Sequence, residues 1–542
     1  KPEIPARDPV QAVSHYMRER QRQKSLCFFH IPKKVDISLY RSSSETKEEA
    51  SMELNQTSIS YYDKRLARIS TCTETTDSIV PDTFPDIGRV VCAYGTAAVK
   101  DQTPQSGRLL ISGAVQVTVL YEPEKGGGLR RLSIPVSFAH IEECEGLDAD
   151  AVCAVSCHAA AVDAAAVNSR KLSVSIQLCF AIEGYCQTAC EITETVGIPH
   201  VELLSTMQAV TLVDQARAYP ITVLDDVNLQ DASGLSLLHT SCTMRTAECR
   251  AMHGKVVLKG EACIQCLALQ EDDAVRVLTS STPFTQILEM PDAEDGDTVD
   301  AQLAVREADC RLEADGLLSY TVSAQVVCLL RHARVLRRID DLYLPGKSLQ
   351  MQEEKTTLHS MPPLVPFSAE VTETLQTAQH VSHVISAEAC CCGAKRSAEG
   401  ELQLTAAVQI LYLGDDQQLC ALQRMLPLTA ACTAVGEVSQ IALAARASSA
   451  GEKGLLLTVT VSGMASAEEH CPFRHITAAE AGEQQRDNDG VTLLLRYVGA
   501  EQRLWDIAKD CGTTVDAIRR ANELAAEAAS AANTMLLIPI QV

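Results

Sequence analysis

GRLLISGAVQVTVLY, residues 107–121, sets the fold class of this chain. Its apolar side chains fall at every second position, Leu109, Ile111, Val115, Val117 and Val119, with Gly113 in the same phase. A period of two belongs to a strand with one buried face. GKVVLKGEACIQCLAL, from Gly254, repeats the scheme with Val256, Leu258, Gly260, Ala262 and Ile264. GELQLTAAVQILYL, from Gly400, does so again with Leu402, Leu404, Ala406, Val408 and Ile410. The three glycines are almost equally spaced, and self-similarity at a fixed period is the signature of tandem units.

Each copy has a second alternating half. Leu172, Val174, Ile176, Leu178 and Phe180 form the first, Leu318, Tyr320, Val322, Ala324 and Val326 the second, and Leu455, Leu457, Val459 and Val461 the third. Between the halves, copies one and two place a proline and then a phenylalanine, Pro135 with Phe138 and Pro283 with Phe284. An acidic turn follows in both, Gly146 to Asp150 and Asp292 to Asp297. The second of these is not a calcium loop, because Leu303 stands where the closing glutamate would be.

After the third copy comes a polar link without periodicity, and then VTLLLRYVGAEQRLWDIAKDCGTTVDAIRRANEL. A strand over Leu493 to Val498 precedes a helix whose inward face is Leu504, Trp505, Ile507 and Ala508. Gly512 suits a left-handed C-cap. Thr513 with Asp516 predicts a capping box for a second helix that buries Val515 and Ile518. The closing strand is Leu536 to Pro539.

The expected fold is therefore mainly β: three tandem β-rich repeats followed by a small α+β (βααβ) domain. The boundaries read as an N-terminal segment 52–78, repeat one 79–190, a connecting segment 191–223, and repeat two 224–335. A second connecting segment 336–371, repeat three 372–466, a linker 467–490 and the terminal domain 491–542 complete the chain. Residues 1–51 carry basic clusters and no sustained period. They are either a leader ahead of a true start at Met52, which follows a Lys47-Glu48-Glu49 codon run like a ribosome-binding site, or a disordered basic arm.

Several residue patterns resemble known families. IVPDTFPDIGRVV (79–91), the strand ending Val119-Leu120-Tyr121, and Asn168-Ser169-Arg170-Lys171 before an alternating strand resemble the SPOCS domain of Firmicutes sporulation proteins. Copies two and three replace the Asn-Ser-Arg-Lys stretch and lack the proline-rich opening. The terminal domain is similar to LysM, with LW-x-IA (504–508), TTV-x-x-I (513–518), Asn522 and LLIP (536–539).

The LysM resemblance implies binding of N-acetylglucosamine glycans such as peptidoglycan, or an adaptation to bind protein. The family's groove runs between the loop before the first helix and the loop after the second. It maps here onto Gly499, Glu501, Gln502, Arg503, Asn522 and Leu524. Glu501-Gln502-Arg503 stand in place of the family's Gly-Asp-Thr/Ser, which removes both a close backbone approach and a helix cap. The second loop, Glu523 to Asn533, is Ala-rich and long. Trp505 is expected in the core. Tandem SPOCS domains with a LysM end also resemble clostridial coat-morphogenesis proteins. That resemblance implies a partner like stage IV sporulation protein A, the ATP-hydrolysing coat basement protein, met at the forespore surface from the mother-cell cytoplasm.

Composition narrows the function classes. At 542 residues the chain exceeds one core, and with 4% aromatics and a single tryptophan its cores are built from Val, Leu, Ile and Ala. A net charge of −23 opposes phosphate backbones and anionic bilayers, so nucleic acid is not an expected partner. No run reaches the roughly 18 apolar residues of a membrane span. The 22 cysteines are scattered, and in a reducing cytosol they act as small hydrophobes. Such a thiol-rich chain could cross-link once the cell lyses. Cys263 and Cys266 sit on opposite sides of a strand, and Cys390-Cys391-Cys392 has no second cluster, so no metal site is expected. No HExxH, GxSxG or phosphate-cradling loop is present, and His140, His158 and His253 read as packing or turn residues. The expectation is a non-enzymatic scaffold without cofactors.

Overall fold

The computed structural model describes residues 54–228, 234–270, 274–313, 316–398, 400–415, 417–432, 436–451, 454–484, 493–499, 502–531 and 533–540. The leader or arm expected over 1–51 lies outside them. Three units follow one another with the same strand order. Each has a long leading strand, a three-stranded antiparallel meander, and a returning hairpin whose last strand pairs back on the leading one.

In unit 1 the leading strand is β1 (Leu54–Ile79). The meander is β2 (Ile87–Gln105), β3 (Arg108–Pro123) and β4 (Arg130–Glu143), and the hairpin is β5 (Val152–Asn168) with β6 (Lys171–Val196). Unit 2 repeats the order with β7 (Glu202–Asn228), then β8 (Ser236–Met252), β9 (Lys255–Leu269) and β10 (Val275–Glu289), then β11 (Thr298–Leu312) and β12 (Leu317–Tyr343). In unit 3 both long strands are broken. The leading one is β13 (Lys347–Ser360) and β14 (Val365–Gln376). The meander is β15 (His383–Arg396), β16 (Leu402–Leu413) and β17 (Leu419–Ala430). The hairpin is β18 (Glu437–Ser449) with β19 (Gly454–Ser466), continued by β20 (Glu469–Gln484). Pro362 and Pro363 interrupt the leading strand, since proline lacks the N–H a ladder requires.

Each unit is a sandwich of its three-stranded meander on its leading strand and hairpin, and in units 1 and 2 the latter join through β1 and β7 into one six-stranded sheet. The alternating residues of the two halves meet inside. Leu109, Ile111, Val115, Val117 and Val119 pack on Leu172, Val174, Ile176, Leu178 and Phe180. Val256, Leu258 and Ala262 pack with Ala324, Val326, Cys328 and Leu330. Leu402, Leu404, Ala406, Val408 and Ile410 pack with Leu455, Leu457, Val459 and Val461. Gly107, Gly254 and Gly400 occupy the same place, the turn between the first two meander strands, at φ of 80°, 73° and 89°. A side chain is strained there.

The structure redraws several boundaries. The stretch 52–78, expected as a separate segment, contributes β1, which pairs with β6 from Leu54↔Val196 to Ile79↔Lys171. The connecting segments 191–223 and 336–371 likewise hold the end of β6, most of β7, the end of β12, all of β13 and the start of β14. The link 467–490 contains β20, paired with β13 and burying Phe473 and Ile476. These strands escape a period-two reading because bulges shift their phase. In β1 the extra residue lies between Lys64 and Leu66, and in β20 between Ile476 and Ala478. A one-residue insertion moves every later side chain to the other face.

The outer halves of the long strands form two-stranded stems that extend beyond the sandwiches. A two-stranded ribbon cannot bury its own apolar face. The three stems bury theirs together: Ile59, Tyr61, Cys190 and Ile192 from unit 1, Val210, Leu212 and Leu336 from unit 2, and Leu358, Cys471 and Phe473 from unit 3 form one cluster. The meanders meet in a second cluster that includes Cys92, Tyr94 and Leu120, then Leu238 and Leu267, then Leu411 and Leu419. The units share further buried clusters besides these, and β1 pairs with β7 at Tyr62↔Val213.

Candidate binding site in the C-terminal module

The last element set is β21 (Leu493–Tyr497), α1 (Leu504–Cys511), α2 (Val515–Ala521) and β22 (Met535–Pro539), with β21 antiparallel to β22. Val498, Leu504, Trp505, Ile507, Ala508, Cys511, Val515, Ile518, Leu536 and Ile538 form its core. Gly512 ends α1 in the left-handed conformation (φ 69°, ψ 32°). The cap of α2 is one residue later than the sequence predicts. Thr514 Oγ1 accepts from the Ala517 N–H at 3.1 Å, while Thr513 is fully buried and its hydroxyl has no partner. Both threonines could cap, and burial takes the first into the core.

Trp505 is 8% exposed and serves two cores at once. Its ring meets Tyr343 edge-on at 4.9 Å, and its Nε1–H donates to Asp341 Oδ2 at 2.8 Å. Both partners lie on β12 of unit 2. Lys509 Nζ donates to both Asp341 oxygens at 2.8 Å, and the Tyr343 hydroxyl donates to the Thr513 carbonyl at 2.8 Å. Burial opposes the Asp341 charge, yet the Lys509 and Trp505 donors hold its carboxyl below the usual range. The module is thereby docked on the tip of the unit 2 stem. No local pattern in the sequence links Asp341 and Tyr343 to Trp505.

The six groove positions fare differently. Glu501 lies outside the described residues. The Gly499 N–H and the Gln502 side chain close the first loop on itself at 3.4 Å. Arg503 is exposed and paired with Asp506 through two bonds of 3.0 and 2.9 Å. The Asn522 side chain donates to the carbonyls of Ile518 (2.8 Å) and Leu537 (2.6 Å) and accepts from the Leu537 N–H (2.7 Å), tying α2 to β22. Leu524 packs against the module core.

The Ala-rich second loop lies against the first. Arg503 and Ser530 form an antiparallel bridge, the Leu504 N–H donates to the Ala529 carbonyl at 2.9 Å, and the Arg519 guanidinium donates twice to the Ala528 carbonyl.

The β21–β22 ribbon presents an apolar face. Leu493, Leu495 and Tyr497 alternate outward, with Met535 across from Tyr497 and Pro539 across from Leu493. Leu495 is 66% exposed, and Tyr497 and Met535 are 61% exposed.

The two stretches of unit 1 that carry the SPOCS resemblance meet in space. Arg170, at the β5–β6 turn, donates to the Phe84 carbonyl (2.8 Å) and to the carboxylates of Asp86 (3.1 Å) and Asp82 (2.7 Å). The Val80 N–H bonds the Arg170 carbonyl, the Ile87 N–H bonds the Ser169 carbonyl, and the Tyr121 hydroxyl donates to the Pro85 carbonyl. Together they close one end of the first sandwich.

Residues 86–167 and 235–313 both match the family model described as SipL, SPOCS domain. The chain thus carries two stretches that match the SPOCS domain of sporulation proteins. The two SPOCS matches fall on corresponding parts of units 1 and 2, each covering the meander and the first strand of the returning hairpin. The unit 2 match extends the SPOCS resemblance beyond the stretches that carry it in unit 1. No curated protein and no solved structure matches the chain. Among the described residues, no group of three His, Cys, Asp or Glu side chains is placed to hold a metal ion. Among them, too, no helix is long and apolar enough to cross a membrane. His140 stacks on Phe180 at 4.6 Å, and His253 lies in the β8–β9 turn.

Proposed function

We propose that this SPOCS-domain protein is a non-enzymatic scaffold of spore coat assembly. In this reading three SPOCS-like repeats form its body, and its LysM-like module docks onto a coat basement protein similar to the stage IV sporulation protein A ATPase. The place of action is the forespore surface, reached from the mother-cell cytoplasm. The observation that carries the reading is the exposed apolar face of Leu493, Leu495, Tyr497 and Met535 on the terminal ribbon. Contiguous exposed apolar surface marks an interaction site. Across the groove of the LysM resemblance, by contrast, Arg503 bridges Ser530 and the Leu504 N–H is taken by the Ala529 carbonyl.

The test is capture of the purified full chain on immobilised basement ATPase and, in parallel, on purified peptidoglycan. Retention on the ATPase that is lost in a Leu495→Asp, Tyr497→Asp double variant supports the reading. Retention on peptidoglycan, unaffected by that double variant, replaces it with anchorage to cortex or wall glycan.

A further inference from the structure

Strand β15 of unit 3 lies against β1, β5 and β6 of unit 1. Cys179 on β6 alternates with Leu178 and Phe180, so its thiol points out of the first sandwich and toward β15. Cys390 and Cys392, two apart on β15, face the same side, while Cys391 points into the third sandwich. The three thiols that meet are free. The Cys179 thiol donates to the Cys391 carbonyl at 3.1 Å, and the Cys390 and Cys392 sulfurs are 3.9 Å apart. Cys179 is 1% exposed, Cys392 8%, and Cys390 half-buried, so solvent reaches the cluster at the β15 side.

We propose that Cys179, Cys390 and Cys392 form a peroxide-oxidisable site that joins unit 1 to unit 3 through a disulfide between Cys179 and Cys392. Geometry selects that pair. Cys392 is the residue that the β15–β16 ladder skips, between Cys391↔Ala406 and Gly393↔Thr405, and it is buried in one cluster with Cys179. Cys179 approaches from a facing strand. Electrostatics favours Cys392 as the attacking sulfur: its neighbouring sulfurs hold the Cys392 thiol below its ordinary value, while the Cys179 and Cys390 thiols are raised. A thiolate is the nucleophile in such chemistry.

The Cys392 thiolate attacks one oxygen of hydrogen peroxide, the O–O bond breaks, and hydroxide leaves a sulfenic acid. The Cys179 sulfur, giving up its proton, then attacks the Cys392 sulfur. The S–S bond forms, the S–O bond breaks, and the proton leaves with the oxygen as water. Two thiols and one peroxide yield one disulfide and two waters.

The test treats the folded full chain with stoichiometric hydrogen peroxide, alkylates remaining thiols, and maps cross-links by mass spectrometry after digestion. The expected product is a peptide pair joined through Cys179 and Cys392. It should be lost in Cys179→Ser and Cys392→Ser but retained in Cys390→Ser. Circular dichroism of each variant checks folding, and Cys392→Ala serves if the serine variant does not fold. A Cys390–Cys392 link in its place, a Cys392 oxidised without a partner, or cross-links only among other cysteines would each overturn the proposal.

Discussion

Phe138 stands directly across the ladder from Gly113, and its ring covers the space that a side chain at that glycine would fill. A Cβ there would lie 2.6 Å from Phe138 Cζ and would strike the Ala98 carbonyl. Unit 2 repeats the arrangement, with Gly260 across from Phe284 and the ring carbon again at 2.6 Å. The shared glycine and phenylalanine of the two copies are therefore one packing device, an aromatic laid over a strand glycine.

Gly113→Ala should accordingly destabilise the first sandwich by about 1–3 kcal/mol, the usual cost of overpacking a filled site. Gly260→Ala should behave alike in unit 2. Urea unfolding of both variants checks this, and an unchanged midpoint for either would separate the glycine from the ring.

The central meander strands are legible in the sequence because one of their faces is buried by the same unit, which imposes a clean alternation. The leading strands are not. Ile59, Tyr61 and Leu358 are buried only by stems from distant parts of the chain, and the bulges near Arg65 and Thr477 break the phase. The same division holds in the terminal module. The Trp505 core and the Gly512 cap follow from local spacing. The Asp341 and Tyr343 contacts, and the closure of the second loop onto Arg503, arise from tertiary packing that no local pattern encodes.

Trp505 is the chain's only tryptophan, so its emission reports on the contact with unit 2. Asp341→Ala removes the acceptor of its N–H and of Lys509. The emission should shift to the red with the strand content unchanged. Acid should act alike in the unaltered chain. The folded pKa of Asp341 is lowered, so its contribution is whole above the unfolded value of 3.8 and is lost as pH falls through the folded one. A red shift complete well above that range would contradict the role given to Asp341.

At the meeting of the three meanders, Tyr94, His239, Gln265, Leu267, Ser386 and Glu388 line one small cavity. Burial, aided by Arg131, pushes the His239 imidazole down to about 4. Unfolded, it would take up its proton near 6.5, so acidification across that interval favours unfolding, by roughly 3 kcal/mol in all. Burial raises the Glu388 carboxyl, with Ser241 opposing. Its contribution is whole below the unfolded value and is lost as pH rises through the folded one. His239→Phe, which keeps the stacking on Tyr94, should remove much of the acid loss, and Glu388→Gln the loss as pH rises. Urea midpoints measured against pH for the three chains check both. Parallel profiles would leave the junction without a titrating role.

Asn522 separates a structural reading of the terminal loops from a ligand-binding one. Its side chain satisfies the Leu537 N–H and carbonyl and adds to the Ile518 carbonyl, which the Asn522 N–H also meets at 3.2 Å, so cutting it back leaves the two Leu537 groups without that partner. Leaving buried backbone groups unpaired costs about 1–3 kcal/mol each, above the modest net value of the bonds themselves. Asn522→Ala should therefore lower the melting of the module in the full chain, followed by Trp505 emission, by several degrees. Asn522→Asp restores the acceptor for the Leu537 N–H but not the two donors, and should fall between. A residue that only met a ligand would leave the transition where it was in both variants, because free protein would lose nothing by the change.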